Sequence, residues 1–288
     1  MTPAFVCIGA AHWDVIAKTG EPLPPGADVP GRVLWRPGGV ATNVALHLAA
    51  TGAPTMLLSA IGADARGDTL CQQLTSRGID CSHVTKNDTP TGTYLAIEGM
   101  DGSLHASVAD CQGLEASGST ILSPLTSHPD TFRDARIIAD GNLSPAVLAE
   151  LVNVANDRTI TLLGASPTKM HTHGAAALNP SITLYVNRLE AEAIQRTTFA
   201  TSGEAAASLV DAGAGAALVT DGPNPATYRD ESTHVTASPA RLTTQTVTGA
   251  GDIFAATHIN ARNNGLSPEA AINLALETAA RHITGIPT

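Results

Sequence analysis

Thr248-Gly249-Ala250-Gly251-Asp252-Ile253-Phe254-Ala255-Ala256 is the stretch that decides how this chain is read. Two glycines flank an alanine just before an apolar run that predicts a helix over Asp252–Asn263. Such a turn lets successive backbone N–H groups point toward one place, and a helix N-terminus adds about half a positive charge there. The result is a hole for an anion such as phosphate. Asp252 stands at its edge, where a carboxylate can take the proton of an attacking hydroxyl. A tight loop with Asp252 capping the helix would need the same residues, so the motif by itself leaves both readings open.

Outward from this stretch the chain alternates strand and helix. Phe5–Ile8, Thr55–Ile61, Arg136–Ala139, Thr159–Leu163, Thr183–Val186 and Ala216–Thr220 are short apolar runs that read as buried strands. Helices are predicted over Val40–Ala50, Thr69–Arg77, Ala146–Ala155, Leu189–Gln195, Glu204–Ala212 and Pro268–Thr284. This alternation implies a mainly parallel central sheet covered by helices on both faces, with ligands beyond the carboxyl ends of its strands. Val33–Arg36, Tyr94–Ile97 and Leu104–Val108, the last two joined through a Met100-Asp101-Gly102 turn, form a small sheet apart from the main body. No linker separates two domains, so residues 1–288 read as one domain.

Composition narrows the function classes. The chain has 288 residues, 43% hydrophobic and only 3% aromatic, enough to bury one large core of small and aliphatic side chains. A net charge of −10 argues against nucleic acid as a partner, because phosphate contacts need clustered Lys and Arg. No apolar run approaches the roughly 18 residues of a membrane span, and the first residues lack a signal-peptide pattern. Cys7, Cys71, Cys81 and Cys111 show no metal spacing and read as free thiols in a reducing cytoplasm. The ten histidines show no paired ligand spacing, and no GxxxxGK[ST] loop is present. Gly9-Ala10-Ala11 follows the first strand but lacks the GxGxxG spacing of a dinucleotide-binding oxidoreductase.

A second glycine pair opens another helix in Gly38-Gly39-Val40-Ala41-Thr42-Asn43. Gly38 and Gly39 would let a ligand pack on bare backbone, and Asn43 offers both a donor and an acceptor to a hydroxyl. An ordinary glycine-rich helix entry fits equally well. Asp14, just beyond the first strand, can accept from two adjacent hydroxyls or be a surface turn residue. Glu190, read alone, is a solvated first-turn helix residue.

Taken in order, Gly9…Asp14, the GGVATN segment and the late TGAGD resemble the two signatures of the ribokinase or PfkB family of carbohydrate kinases, over about Val6 to Arg281. The resemblance implies a ribokinase-like three-layer α/β/α fold with a small β-sheet lid, made from segments near 14–37 and 91–110. It implies ATP and magnesium, with Asp252 as catalytic base and Gly249, Ala250 and Gly251 supplying anion-hole amides. Asp14, Gly38, Gly39 and Asn43 would hold the acceptor. Asn187 and Glu190 match the family's NxxE motif, with Glu190 acting on magnesium through water rather than as a direct ligand. Thr220 and Gly222 would border the nucleotide, with the helix Ala271–His282 beside adenine. The lid would be the contact of a homodimer.

Two departures stand out. Thr246-Val247 occupies the place of a common Asp-Thr pair belonging to a monovalent-cation site, so that cation is not carried over. Asp221 replaces a commoner neutral residue and sets a negative charge near the nucleotide.

The segments Gly9–Asp14, Pro30–Asn43, Thr91–Tyr94, Ser107–Asp110, Ala139–Ser144 and Gly164–Lys169 resemble the pseudouridine kinase branch. The expected reaction is therefore phosphorylation of a nucleoside 5′-hydroxyl, with pseudouridine as the leading acceptor. Another nucleoside, a free sugar as in ribokinase or fructokinase, and a nucleoside-binding protein without turnover stay open.

Overall fold

The computed structural model describes residues 2–100, 103–241 and 249–284. The predicted turn residues Asp101 and Gly102, the Thr246-Val247 pair and Thr248 lie outside them.

Fifteen strands occur among the described residues. The main sheet uses nine of them: β1 (Phe5–Ile8), β4 (Thr55–Leu58), β6 (Ile79–Asp80), β10 (Arg136–Asp140), β11 (Ile160–Leu163), β12 (Ile182–Asn187), β13 (Ala216–Asp221), β14 (Asn224–Asp230) and β15 (His234–Ala237). A small sheet contains β2 (His12–Thr19), β3 (Gly31–Gly38), β8 (Thr93–Glu98) and β9 (Leu104–Asp110). The last two, β5 (Ala60–Gly62) and β7 (Thr85–Asn87), pair with each other.

The main sheet runs β15-β14-β13-β12-β11-β10-β1-β4-β6. From β13 to β6 every pairing is parallel, and only the β13–β14–β15 edge is antiparallel. Strands buried on both faces need apolar side chains at every position, which is why β1 is Phe-Val-Cys-Ile without alternation. Val6 and Ile8 face one core, with the helices Pro145–Ala155, Arg188–Gln195 and Ser202–Asp211. Phe5 and Cys7 face the other, with the helices Val40–Ala50, Ala65–Ser76 and Ala250–Asn263. The three layers are those of a ribokinase-like α/β fold.

Strand order grows in one direction through β4 and β6, and in the other from β10 onward. The reversal between β1 and β10 opens a crevice at their carboxyl ends, where such sheets take ligands. Asp140 ends β10 at that point and is fully buried.

The small sheet has the order β3-β2-β8-β9. It is tied to the body by the helix Ala65–Ser76. Asp64 caps that helix through Gly67 N (2.8 Å) and accepts from Thr91 N (2.9 Å) and Thr91 Oγ1 (2.7 Å), while Trp13 Nε1 donates to Arg66 O (3.1 Å).

Several local expectations change. Thr55–Ile61 is two strands, because Ser59 leaves the ladder and its hydroxyl donates to Gly9 O at 2.5 Å. The helix expected at Thr69 starts at Ala65, where Asp64 caps it. Asp14 is no surface turn residue: it lies inside β2, 7% exposed. The small sheet accordingly begins at His12.

Candidate active site

The helix Ala250–Asn263 starts from Gly249, whose φ of 84° lies in the left-handed region. The amides of Ala250, Gly251 and Asp252 belong to its first turn and lack intrahelical acceptors. A Cβ added at Gly251 would meet nothing within 4 Å among the described residues, which leave space there for a ligand. Gly251 lies on both sides of this junction. It lines a cleft with Val40, Gly164, Asn187, Glu190 and Asp252, and an adjoining pocket with Thr220, Gly222, Phe254, Leu276 and Ala280.

Asp252 accepts from Asn43 Nδ2 at 2.8 Å across 209 residues of sequence. Burial, joined by the negative fields of Asp140, Asp14 and Glu190 and opposed by the hydrogen bond from Asn43, pushes its carboxyl up to about 7. Asp252, Asn43, Asp14 and Glu190 are thus brought to one crevice.

Asp14 accepts from Arg36 Nε at 3.2 Å on the neighbouring strand. Burial raises its pKa, and His12 and Arg36 partly offset this. His12 Nδ1 lies 3.4 Å from Asp14 Oδ1, yet burial drives that imidazole toward its neutral form. The two glycines before the Val40–Ala50 helix accommodate protein atoms. A Cβ on Gly38 would stand 2.0 Å from Asp14 Oδ1, and one on Gly39, whose φ is 104°, would stand 2.2 Å from Ala10 O. Their bare backbone seats Asp14 and lets β1's turn close on the helix entry.

Asn187 and Glu190 form a reciprocal capping box: Asn187 Oδ1 accepts from Glu190 N and Glu190 Oε2 accepts from Asn187 N, both at 2.9 Å. Glu190 is 6% exposed, which corrects its reading as a solvated residue; burial raises its pKa. Gly164 makes room for it, since a Cβ there would fall 2.1 Å from Glu190 Oε2. The negative charge expected at Asp221 is present but paired, through Arg188 Nε at 3.0 Å.

Asp140 escaped the sequence reading as a site residue. Its carboxylate accepts from Ala10 N (3.0 Å), Ala41 N (2.9 Å) and Asn142 N (2.9 Å), joining both glycine turns to β10. Lys169 Nζ donates to Asn142 Oδ1 at 2.6 Å beside it. Both residues sit in segments quoted for the branch resemblance, which was the available signal. Among the described residues, no group of three or more His, Cys, Asp or Glu is arranged to hold a metal ion, and no helix is long and apolar enough to cross a membrane.

Comparison with known proteins follows the same lines. The chain is 31% identical over 193 residues to a pseudouridine kinase of Escherichia coli (strain K12), covering 66% of this chain and 60% of that protein. It is 29% identical over 160 residues to a pseudouridine kinase of Arabidopsis thaliana, covering 54% and 40%. The chain therefore spans less than two thirds of the length of these relatives. In fold it is similar to a carbohydrate kinase from Agrobacterium tumefaciens, with a TM-score of 0.82, 24% identity, and 99% and 91% of the two chains covered. The profile described as pfkB family carbohydrate kinase matches residues 3–285, and this chain belongs to that family.

Proposed function

We propose that the chain is an ATP-dependent kinase acting on the 5′-hydroxyl of a nucleoside, with pseudouridine as its acceptor. One observation carries the reading. Asp252 sits between open first-turn amides on one side and Asn43 and Asp14 on the other, with its pKa raised to about 7. A carboxylate poised near neutrality between an anion hole and hydroxyl-binding groups suits general-base phosphoryl transfer.

The residues present fit ATP and magnesium. The apolar pocket of Phe254, Leu276 and Ala280 suits a base, and the unfilled space at Gly251 suits phosphate. Glu190 lines the cleft beside that space with Asp252, and would act on magnesium through water. When bound, magnesium ATP supplies the transferable phosphoryl group and neutralises its charge. Asp252 accepts the proton of the acceptor hydroxyl as its oxygen attacks. The amides of Gly249 to Asp252 hold the charge of the group in transfer. Asn43 keeps the Asp252 carboxylate aimed, and Asp14 orients the acceptor's remaining hydroxyls. Closure of the small sheet over the acceptor would exclude water as a competing nucleophile.

Two relatives named pseudouridine kinase support the acceptor assignment. The test is purified protein with magnesium ATP and pseudouridine, uridine, adenosine, ribose and fructose, measuring ADP release. Selective turnover of pseudouridine is expected. Turnover of a different acceptor keeps the kinase chemistry and overturns the substrate. ATP binding with no turnover on any acceptor favours a nucleoside-binding protein.

A further inference from the structure

Among the described residues lining the apolar pocket, Asp221 alone is ionisable. It ends β13, and its carboxylate is 15% exposed. An unpaired carboxylate there would face a ligand carrying several negative charges, in a region that already contains Glu190 and Asp252. Half-buried charges are screened less than surface ones, so the repulsion would be felt.

Arg188 answers that charge. It is the first residue of the helix Arg188–Gln195, directly after Asn187. Its Nε donates to Asp221 Oδ1 at 3.0 Å, and its NH1 donates to Glu192 Oε1 at 2.5 Å and to Phe199 O at 3.1 Å. The other Asp221 oxygen accepts from Asn224 Nδ2 at 3.1 Å. The guanidinium's planar fork makes these bonds in fixed directions at once, which a lysine ammonium cannot reproduce. Its Nε and Nη1 donors are thus turned to Asp221, Glu192 and Phe199.

We propose that Arg188 is a positioning residue for the nucleotide. It cancels the charge of Asp221 on the pocket wall, which would repel a triphosphate, and it ties the end of β13 to the helix bearing Asn187 and Glu190. The inference rests on assigning this pocket to the nucleotide, and it makes Arg188 and Asp221 a compensating pair rather than two independent contributors.

The experiment is calorimetric titration of the full chain with the magnesium complex of a non-hydrolysable ATP analogue, so that turnover is not required. Four proteins are compared: the natural sequence, R188L, D221N and R188L/D221N. R188L is expected to weaken binding about tenfold, the scale of one uncancelled charge near the ligand. D221N should bind as tightly as the natural sequence or tighter, and R188L/D221N should return to within about twofold of it. Tetramethylammonium chloride, which screens without coordinating, should improve analogue binding to R188L and weaken binding to the natural sequence.

Equal weakening in R188L and R188L/D221N would overturn the proposal, because Arg188 would then act through Glu192 and Phe199. Tenfold weaker binding in D221N, which does not depend on R188L folding, would also overturn it by making Asp221 a direct contact. Analogue binding without turnover on any acceptor would leave this inference standing and remove the kinase reading.

Discussion

At the scale of the residue, the role proposed for Asp252 rests on its environment rather than its identity. A solvated aspartate is too weak a base at neutral pH to take up a hydroxyl proton. Burial beside Asp140, Asp14 and Glu190 raises its pKa from 3.8 to about 7. The base works deprotonated, so kcat/KM for the acceptor should fall about tenfold per pH unit below 7 and level off above it. A flat profile between about pH 5.5 and 8 would contradict this assignment. The linked stability effect has the opposite sign. A folded pKa above the unfolded value contributes stability that is complete below about 3.8 and lost as pH rises through about 7. TGAGD was legible because it occurs in order with Gly9…Asp14 and the GGVATN segment, and the three together match a family's signatures. Asp140 was not: Asp140-Gly141-Asn142 has the look of a turn, and nothing local says that its acceptor oxygens serve Ala10 and Ala41, 130 and 99 residues away.

At the scale of the element, two devices set the crevice. The first is Asp140, which holds both glycine turns against β10. Asp140→Ala would leave the amides of Ala10, Ala41 and Asn142 without their acceptor and should cost about 3–5 kcal/mol of stability, measured by urea unfolding. A loss under about 1 kcal/mol would mean that these contacts do not fix the crevice. The second is the capping box of Asn187 and Glu190. Asn187→Ala should cost about 1 kcal/mol, whereas Glu190→Gln keeps an acceptor for the Asn187 amide and should unfold close to the natural protein. Elements bounded by strong breakers were legible: Val40–Ala50 lies between Gly39 and Gly52, and Pro268–Thr284 follows Gly265. β2 was missed because Trp13, Asp14, Val15 and Ile16 are all buried, so no alternation marks the strand. β14 was missed because Pro223 and Pro225 break any apolar run, and only antiparallel pairing with β13 and β15 makes Asn224–Asp230 a strand.

At the scale of the whole molecule, the layered body was legible because buried parallel strands leave short unbroken apolar runs and the covering helices leave stretches bounded by breakers. The small sheet's two faces were not, because they appear only once register is known. Pairing sets Trp35, Val15, Leu95 and Val108 in one row and Arg36, Asp14, Tyr94 and Ala109 in the next, on opposite faces. The second row looks to the crevice. The first exposes Trp35, Leu95 and Val108, with Val33 beside them, at 39–65%. We expect a second copy of the chain to cover this apolar face, with Trp35→Glu shifting the sedimenting species from dimer to monomer. A natural protein that sediments as a monomer would refute it. The central claim, that Asp252 is the base of a phosphoryl transfer, is tested most directly by the turnover number of Asp252→Asn with magnesium ATP and the best acceptor. The account predicts a fall of about 10²–10⁴-fold, with binding of the ATP analogue and the unfolding midpoint retained. A variant keeping more than about a tenth of natural turnover would contradict it.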